Sequence, residues 1–134
     1  MNAEELYLVA GQVIILEDDP TLRMLMVEML AEIGLDSAAF RTADDALMHL
    51  LETHEICPLV IADQGLPGQI QGAEFIEIVK EKWPSIASIL TSGSELEPAT
   101  VPSSTIYLQK PWTMNSLIDV VAGLLQQGQS DRKT

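Results

Sequence analysis

Residues 13–20 read VIILEDDP, a β-branched run broken by three acids and then a proline. The run is too short for a helix, and β-branched side chains suit a strand buried on both faces. Pro20 stands where a helix can begin, with Asp19 before it as a cap. Leu22, Leu25, Met26, Met29, Leu30 and Ile33 follow at spacings of three and four, until Gly34 stops the pattern. These residues therefore encode a strand, an acidic turn and an amphipathic helix.

The rest of the chain repeats that plan. A second short run, 35–40, precedes a helical stretch opened by Thr42, with Ala46, Leu47, Leu50 and Leu51 on one side. The run PLVIA at 58–62 again ends in an acid, Asp63, and a Gly- and Pro-rich loop at 64–72 follows. A helix with Phe75, Ile76 and Val79 inward closes at Trp83-Pro84. Strands are expected at 86–90 and 105–108. The last helix is expected over about 113–125, with Leu117, Val120, Val121, Leu124 and Leu125 inward, and the polar end 126–134 is expected to fray. Alternating β and α elements predict an α/β fold: a doubly wound parallel sheet with helices on both faces. In such sheets chemistry gathers at the carboxyl ends of the strands, beside the switch in strand order.

The bulk composition is consistent with one such domain. The chain has 134 residues, 47% hydrophobic and 20% charged, enough for a single core. The whole of 1–134 is taken as one domain, with its core over about 12–126 and flanking segments at 1–11 and 127–134. No apolar stretch is long enough for membrane insertion, and the first eleven residues hold Glu4 and Glu5 but no basic residue, unlike a signal peptide. The lone Cys57 fits a reducing compartment, so a cytoplasmic location is expected. A net charge of −13, with only seven Lys and Arg, argues against direct nucleic-acid binding.

Glu17, Asp18 and Asp19 leave the first strand and Asp63 the third; Ser92 follows the fourth and Lys110 the fifth. Parallel neighbours would bring all of them to one edge. Clustered carboxylates repel unless a proton or cation intervenes. Mg²⁺ takes a few carboxylate oxygens and a carbonyl while keeping waters, which leaves room for a phosphate oxygen. Lys110 and Ser92 would add a mobile charge and a hydroxyl donor, able to compensate charge on a phosphoryl group moving to Asp63.

Four segments carry a family resemblance: VIILEDDP at 13–20, LVIADQGLPG at 59–68, ILTSG at 89–93 and IYLQKPW at 106–112. In this order they resemble the receiver domain of two-component response regulators, the chemotaxis-type fold. The resemblance implies a flavodoxin-like sheet of five strands in order 2-1-3-4-5. It also implies Asp63 as phosphoacceptor, Asp18 as a direct Mg²⁺ ligand, Glu17 acting through water, and the Gly65 carbonyl completing the protein's share. Ser92 and Lys110 correspond to the phosphate-sensing hydroxyl and lysine, Pro111 to a proline joined through a cis bond, and Tyr107 to an aromatic that reports the state of the site. The implied donor is a histidine kinase or histidine phosphotransfer protein, and the output an unidentified protein target. Apart from its own phosphorylation and dephosphorylation, such a domain is not an enzyme.

The chain departs from the family pattern in two places. The loop from Pro67 to Gly72 is one residue longer, which leaves the path of Gln69-Ile70-Gln71 open. The stretch from Ser92 to Lys110 is shorter and holds Pro98 and Pro102, so the fourth helix is expected to be short or missing. Plainer readings stand beside the site: a solvated strand end with a helix cap for Glu17–Asp19, a turn for Asp63 and Ser92, and simple packing for Tyr107, Trp112 and Met24, Met26 and Met29. His49, His54 and Cys57 match no zinc spacing well. The competing functions are a phosphorylation-independent interaction scaffold and a metal-dependent phosphohydrolase. The start at Met1 and the polar tail favour a stand-alone regulator over a domain cut from a sensor kinase.

Overall fold

The computed structural model describes residues 9–54 and 56–133, with side chains through Gln126; the first eight residues of the N-terminal flank lie outside it. Strands β1 (Gln12–Leu16), β2 (Asp36–Phe40), β3 (Leu59–Asp63), β4 (Ala87–Ser92) and β5 (Thr105–Gln109) form one parallel sheet. Its order, β2-β1-β3-β4-β5, is the expected one. Helices α1 (Pro20–Glu32), α2 (Ala43–Glu52), α3 (Gly72–Lys82) and α4 (Met114–Lys133) make the connections and the C-terminal end. The order reverses between β1 and β3, which opens a crevice at their carboxyl ends.

Two apolar layers flank the sheet. Val13 and Ile15 point to one side and pack with Met26, Met29 and Leu30 of α1 and Leu117, Val121 and Leu125 of α4. Ile14 and Leu16 point to the other and pack with Ala46 and Leu50 of α2 and Phe75, Ile76 and Val79 of α3. Every residue of β3 is buried, as a central strand covered on both faces requires. Each large side chain fully buried here contributes about 1.5–3 kcal/mol of transfer free energy.

The ends of α1 follow the sequence signals. The Asp19 carboxylate accepts from the N–H groups of Thr21 and Leu22, and Pro20 occupies the first turn. At the other end Gly34 N–H donates to the Ala31 carbonyl and Leu35 N–H to that of Leu30, with Gly34 at φ +87°.

Three expectations need correction. Leu25 is 39% and Leu51 54% exposed, because each sits at the rim of its helix's apolar stripe, beyond the reach of the sheet. Met24 is 60% exposed on the opposite side of α1 from the buried Met26 and Met29, so it does not pack inward. Helix α4 does not stop near Leu125 but continues to Lys133; no proline interrupts it, and Gln126 and Gln127 are good helix formers.

Between β4 and β5 only a 3-10 turn forms, Pro98–Thr100. Pro98 can open a turn but has no N–H for a helix behind it, and Pro102 blocks continuation. Leu96 and Val101 still pack against the α2–α3 layer, so the irregular crossover covers the core without a helix.

Candidate functional site

Sheet register sets the site. Asp63, the last residue of β3, lies opposite Thr91 of β4. Glu17 leaves β1 with its N–H on the Phe40 carbonyl, at 3.1 Å, and Lys110 leaves β5 with its N–H on the Ser92 carbonyl, at 2.8 Å. The three side chains therefore converge at the carboxyl edge of the sheet. Lys110 Nζ lies 2.9 Å from Glu17 Oε1 and 3.3 Å from Asp63 Oδ1. Thr91 Oγ1 donates to the same Asp63 oxygen at 3.3 Å.

Both carboxylates are largely removed from water, with Glu17 2% and Asp63 8% exposed. Burial, and then the negative charge of Glu17, push the Asp63 pKa up, although Lys110 and Thr91 pull it down. Burial works against the Lys110 ammonium, but the Glu17 hydrogen bond and the charges of Asp63 and Glu17 together outweigh it and raise its pKa. One lysine is thus shared by two carboxylates.

Backbone packing behind Asp63 is tight. A Cβ at Gly72 would collide with the Asp63 carbonyl and touch Leu90, so the start of α3 approaches β3 only because that residue is glycine. Gln64 N–H donates to the Thr91 carbonyl, and its side-chain Oε1 accepts from Ala73 N–H at 2.8 Å, at the first turn of α3. In the loop between Pro67 and Gly72 the Gln71 side chain folds back onto Gly65 and Leu66.

Asp18 is exposed and accepts from Arg41 Nε at 3.2 Å, while Arg23 donates to the Glu17 carbonyl at 2.7 Å. Ser92 is buried at the end of β4, but its hydroxyl donates to the Ser94 carbonyl at 2.8 Å rather than to Asp63. Tyr107 Oη donates to that same carbonyl at 2.9 Å. The Lys110–Pro111 peptide is cis. Beside Lys110 a groove of about 260 Å³ is lined by Leu22, Leu25, Pro111, Trp112 and Met114. Trp112 packs against the α1–α4 layer, as a packing residue should. His49 bonds to Gln12 Oε1 at 2.9 Å and lies against Phe40, away from the acidic edge.

Residues 13–122 match the response regulator receiver domain. The chain belongs to that family. Over 85 residues the receiver domain is 39% identical to the hydrogenase transcriptional regulatory protein HoxA of Cupriavidus necator, a match covering 60% of this chain and 17% of that protein. It is 28% identical over 117 residues to the response regulator protein FleR of Pseudomonas aeruginosa, covering 84% of this chain and 24% of that one. The chain thus spans no more than about a quarter of these curated relatives. A response regulator receiver protein from Sinorhizobium medicae superposes with a TM-score of 0.82 at 21% identity, covering 90% of this chain and 98% of that one, which shows a shared fold.

Receiver domains generally bind Mg²⁺ at their acidic pocket. Among the described residues no three His, Cys, Asp or Glu side chains are already gathered to hold a metal ion. The donor chemistry of this receiver domain nevertheless fits a hard cation: carboxylate oxygens at Glu17, Asp18 and Asp63, and a backbone carbonyl at Gly65. Two buried carboxylates, Glu17 and Asp63, share the single Lys110 ammonium, which leaves negative charge for a cation to offset.

Sequence reasoning singled out Ser92 and passed over its neighbour Thr91, although β4 brings Thr91 directly opposite Asp63. It also left Gln71 and Arg41 without a role. The signal for Thr91 was the register of adjacent parallel strands; for Gln71 and Arg41 the sequence carried none.

Proposed function

We propose that this receiver domain takes a phosphoryl group from a phosphohistidine donor onto Asp63, with Mg²⁺, and signals through the conformational change that follows. The observation that carries the reading is the Lys110 ammonium held between Glu17 and Asp63 at the carboxyl edge of the sheet.

In this mechanism an Asp63 carboxylate oxygen attacks phosphorus, a P–O bond forms, the donor's P–N bond breaks, and its electron pair leaves with the imidazole. Bound Mg²⁺ would neutralise charge on the phosphoryl oxygens, held by Asp18 and Asp63 directly, by Glu17 through water and by the Gly65 carbonyl. Lys110 moves its charge towards the new phosphoryl oxygens. The Thr91 hydroxyl, on Asp63 Oδ1, orients the carboxylate. The phosphoryl-sensing role passes from Ser92, which alternates to the other face of β4 and stays on the Ser94 carbonyl, to the Thr91 hydroxyl already beside Asp63, and Tyr107, bonded to that same carbonyl, follows the loop. The donor is a histidine kinase or histidine phosphotransfer protein. Its output is a contact with another protein, in keeping with the acidic net charge, and the setting is cytoplasmic.

The test is intact mass after incubation with a small acyl phosphate, with and without Mg²⁺, beside Asp63→Asn. One added phosphoryl group that requires Mg²⁺ and is absent in the variant is the expected result. Equal labelling of the variant would overturn the assignment of Asp63.

A further inference from the structure

In the loop after Asp63 the Gln71 side chain folds back onto the backbone of Gly65 and Leu66. Its Oε1 accepts from both Gly65 N–H, at 3.0 Å, and Leu66 N–H, at 2.9 Å, and its Nε2 donates to the Leu66 carbonyl at 2.9 Å. One amide therefore ties three consecutive peptide planes, and those bonds fix which end of the amide is oxygen. The middle plane contains the Gly65 carbonyl and the Leu66 N–H. In a planar trans peptide these two point in opposite directions, so holding the N–H on Gln71 aims the carbonyl away from Gln71. Gly65 is exposed, at φ +96°, and a Cβ there would meet nothing within 4 Å, so on its Gly65 side no packing holds this peptide. The buried Leu66 side chain anchors its other end, and the Gln71 hydrogen bonds set its rotation.

We propose that Gln71 is a positioning residue whose side chain fixes the Gly65 carbonyl for a divalent cation bound at Glu17, Asp18 and Asp63. This rests on the function proposed above, since the carbonyl matters only if a cation binds there. Gln71 touches neither the cation nor the phosphoryl group; it removes the freedom of a peptide that would otherwise rotate.

The experiment is a calorimetric Mg²⁺ titration of the whole chain without phosphodonor, for the native protein, Gln71→Met, Gln71→Ala and Gln69→Ala. Methionine keeps the length of the side chain but cannot make the three bonds, so that variant guards against collapse of the loop. Both Gln71 variants should bind Mg²⁺ about tenfold more weakly, while Gln69→Ala binds as the native protein does. With acyl phosphate, the labelling rate of Gln71→Met at saturating Mg²⁺ should stay within about twofold of native, the loss appearing in half-saturation alone. Unchanged Mg²⁺ affinity in a folded Gln71→Met, with native labelling intact, would overturn the role of Gln71 and leave the function standing. A native protein that neither binds Mg²⁺ nor labels would overturn both.

Discussion

The Lys110 ammonium sits nearer to Glu17 Oε1, at 2.9 Å, than to the carboxylate of Asp63, at 3.3 Å. Glu17 is the more buried of the two acids, and its other oxygen accepts from the Asp19 N–H, at 3.0 Å. Lys110 is therefore a structural partner of Glu17 as well as a neighbour of Asp63.

Lys110→Ala should accordingly cost stability as well as reactivity. It leaves a buried charge without its partner, a loss of about 1–3 kcal/mol. Denaturant unfolding in chelator measures this, and adding Glu17→Gln should recover most of it. A single variant as stable as the native protein would show that Glu17 finds another partner.

Asp63→Asn should stabilise the metal-free protein near neutral pH. Because folding raises the Asp63 pKa, the native state holds more protons than the unfolded chain between the ordinary carboxylate value, about 3.9, and the raised one. Stability therefore falls as pH rises through that window, and the ionised carboxylate remains a cost above it. Asparagine mimics the neutral form. Its Tm advantage in chelator should be present at about pH 7 and shrink as pH falls towards about 3.9. An Asp63→Asn protein less stable than native at neutral pH would contradict this sign.

Gly72→Ala should be more damaging than its size implies. The added methyl meets the main chain of Asp63, which cannot swing aside like a long side chain. Overpacking of this kind costs about 1–3 kcal/mol. Because the strain falls on Asp63 itself, the phosphoryl labelling rate should fall together with Tm, whereas an alanine at the open Gly93 should leave the latter near native.

Cys57 should be a poor nucleophile in the folded chain. Burial pushes its pKa up to about 11, against smaller effects of backbone hydrogen bonds at Leu59 and Ile14. Thiol-reactive reagents near neutral pH should modify it slowly until denaturant is added, and fast native labelling would refute the burial argument.

Much of this could be read from one dimension. Apolar runs ending in acids, separated by helical spacing, mark an alternating β/α chain, the family resemblance implied the strand order, and that order brings Glu17, Asp63 and Lys110 together. The two prolines at 98 and 102 foretold the missing helix for a purely local reason. What stayed hidden depends on direction rather than position. Ser92 and Thr91 are adjacent hydroxyls, and only the alternation of side chains along β4 decides that Thr91 faces Asp63. Arg41 reaches Asp18 across a gap in sequence that no periodicity spans. The exposed rims at Leu25 and Leu51 depend on how far the sheet extends beneath each helix.

Strand β3 is buried throughout, so its two faces are almost equally greasy. The usual guard against slippage, an oily side and a wet side, is absent there, and a shift by one residue would turn Asp63 to the opposite face. The strand is instead indexed at its end, by the Gln64 N–H on the Thr91 carbonyl and by the bare α-carbon of Gly72 resting on the Asp63 main chain. These act like a detent in a sliding bolt. Alignment of the Asp63 carboxylate is therefore set by the two residues that hold the main chain at the strand's end, and damage to either would reach the whole strand.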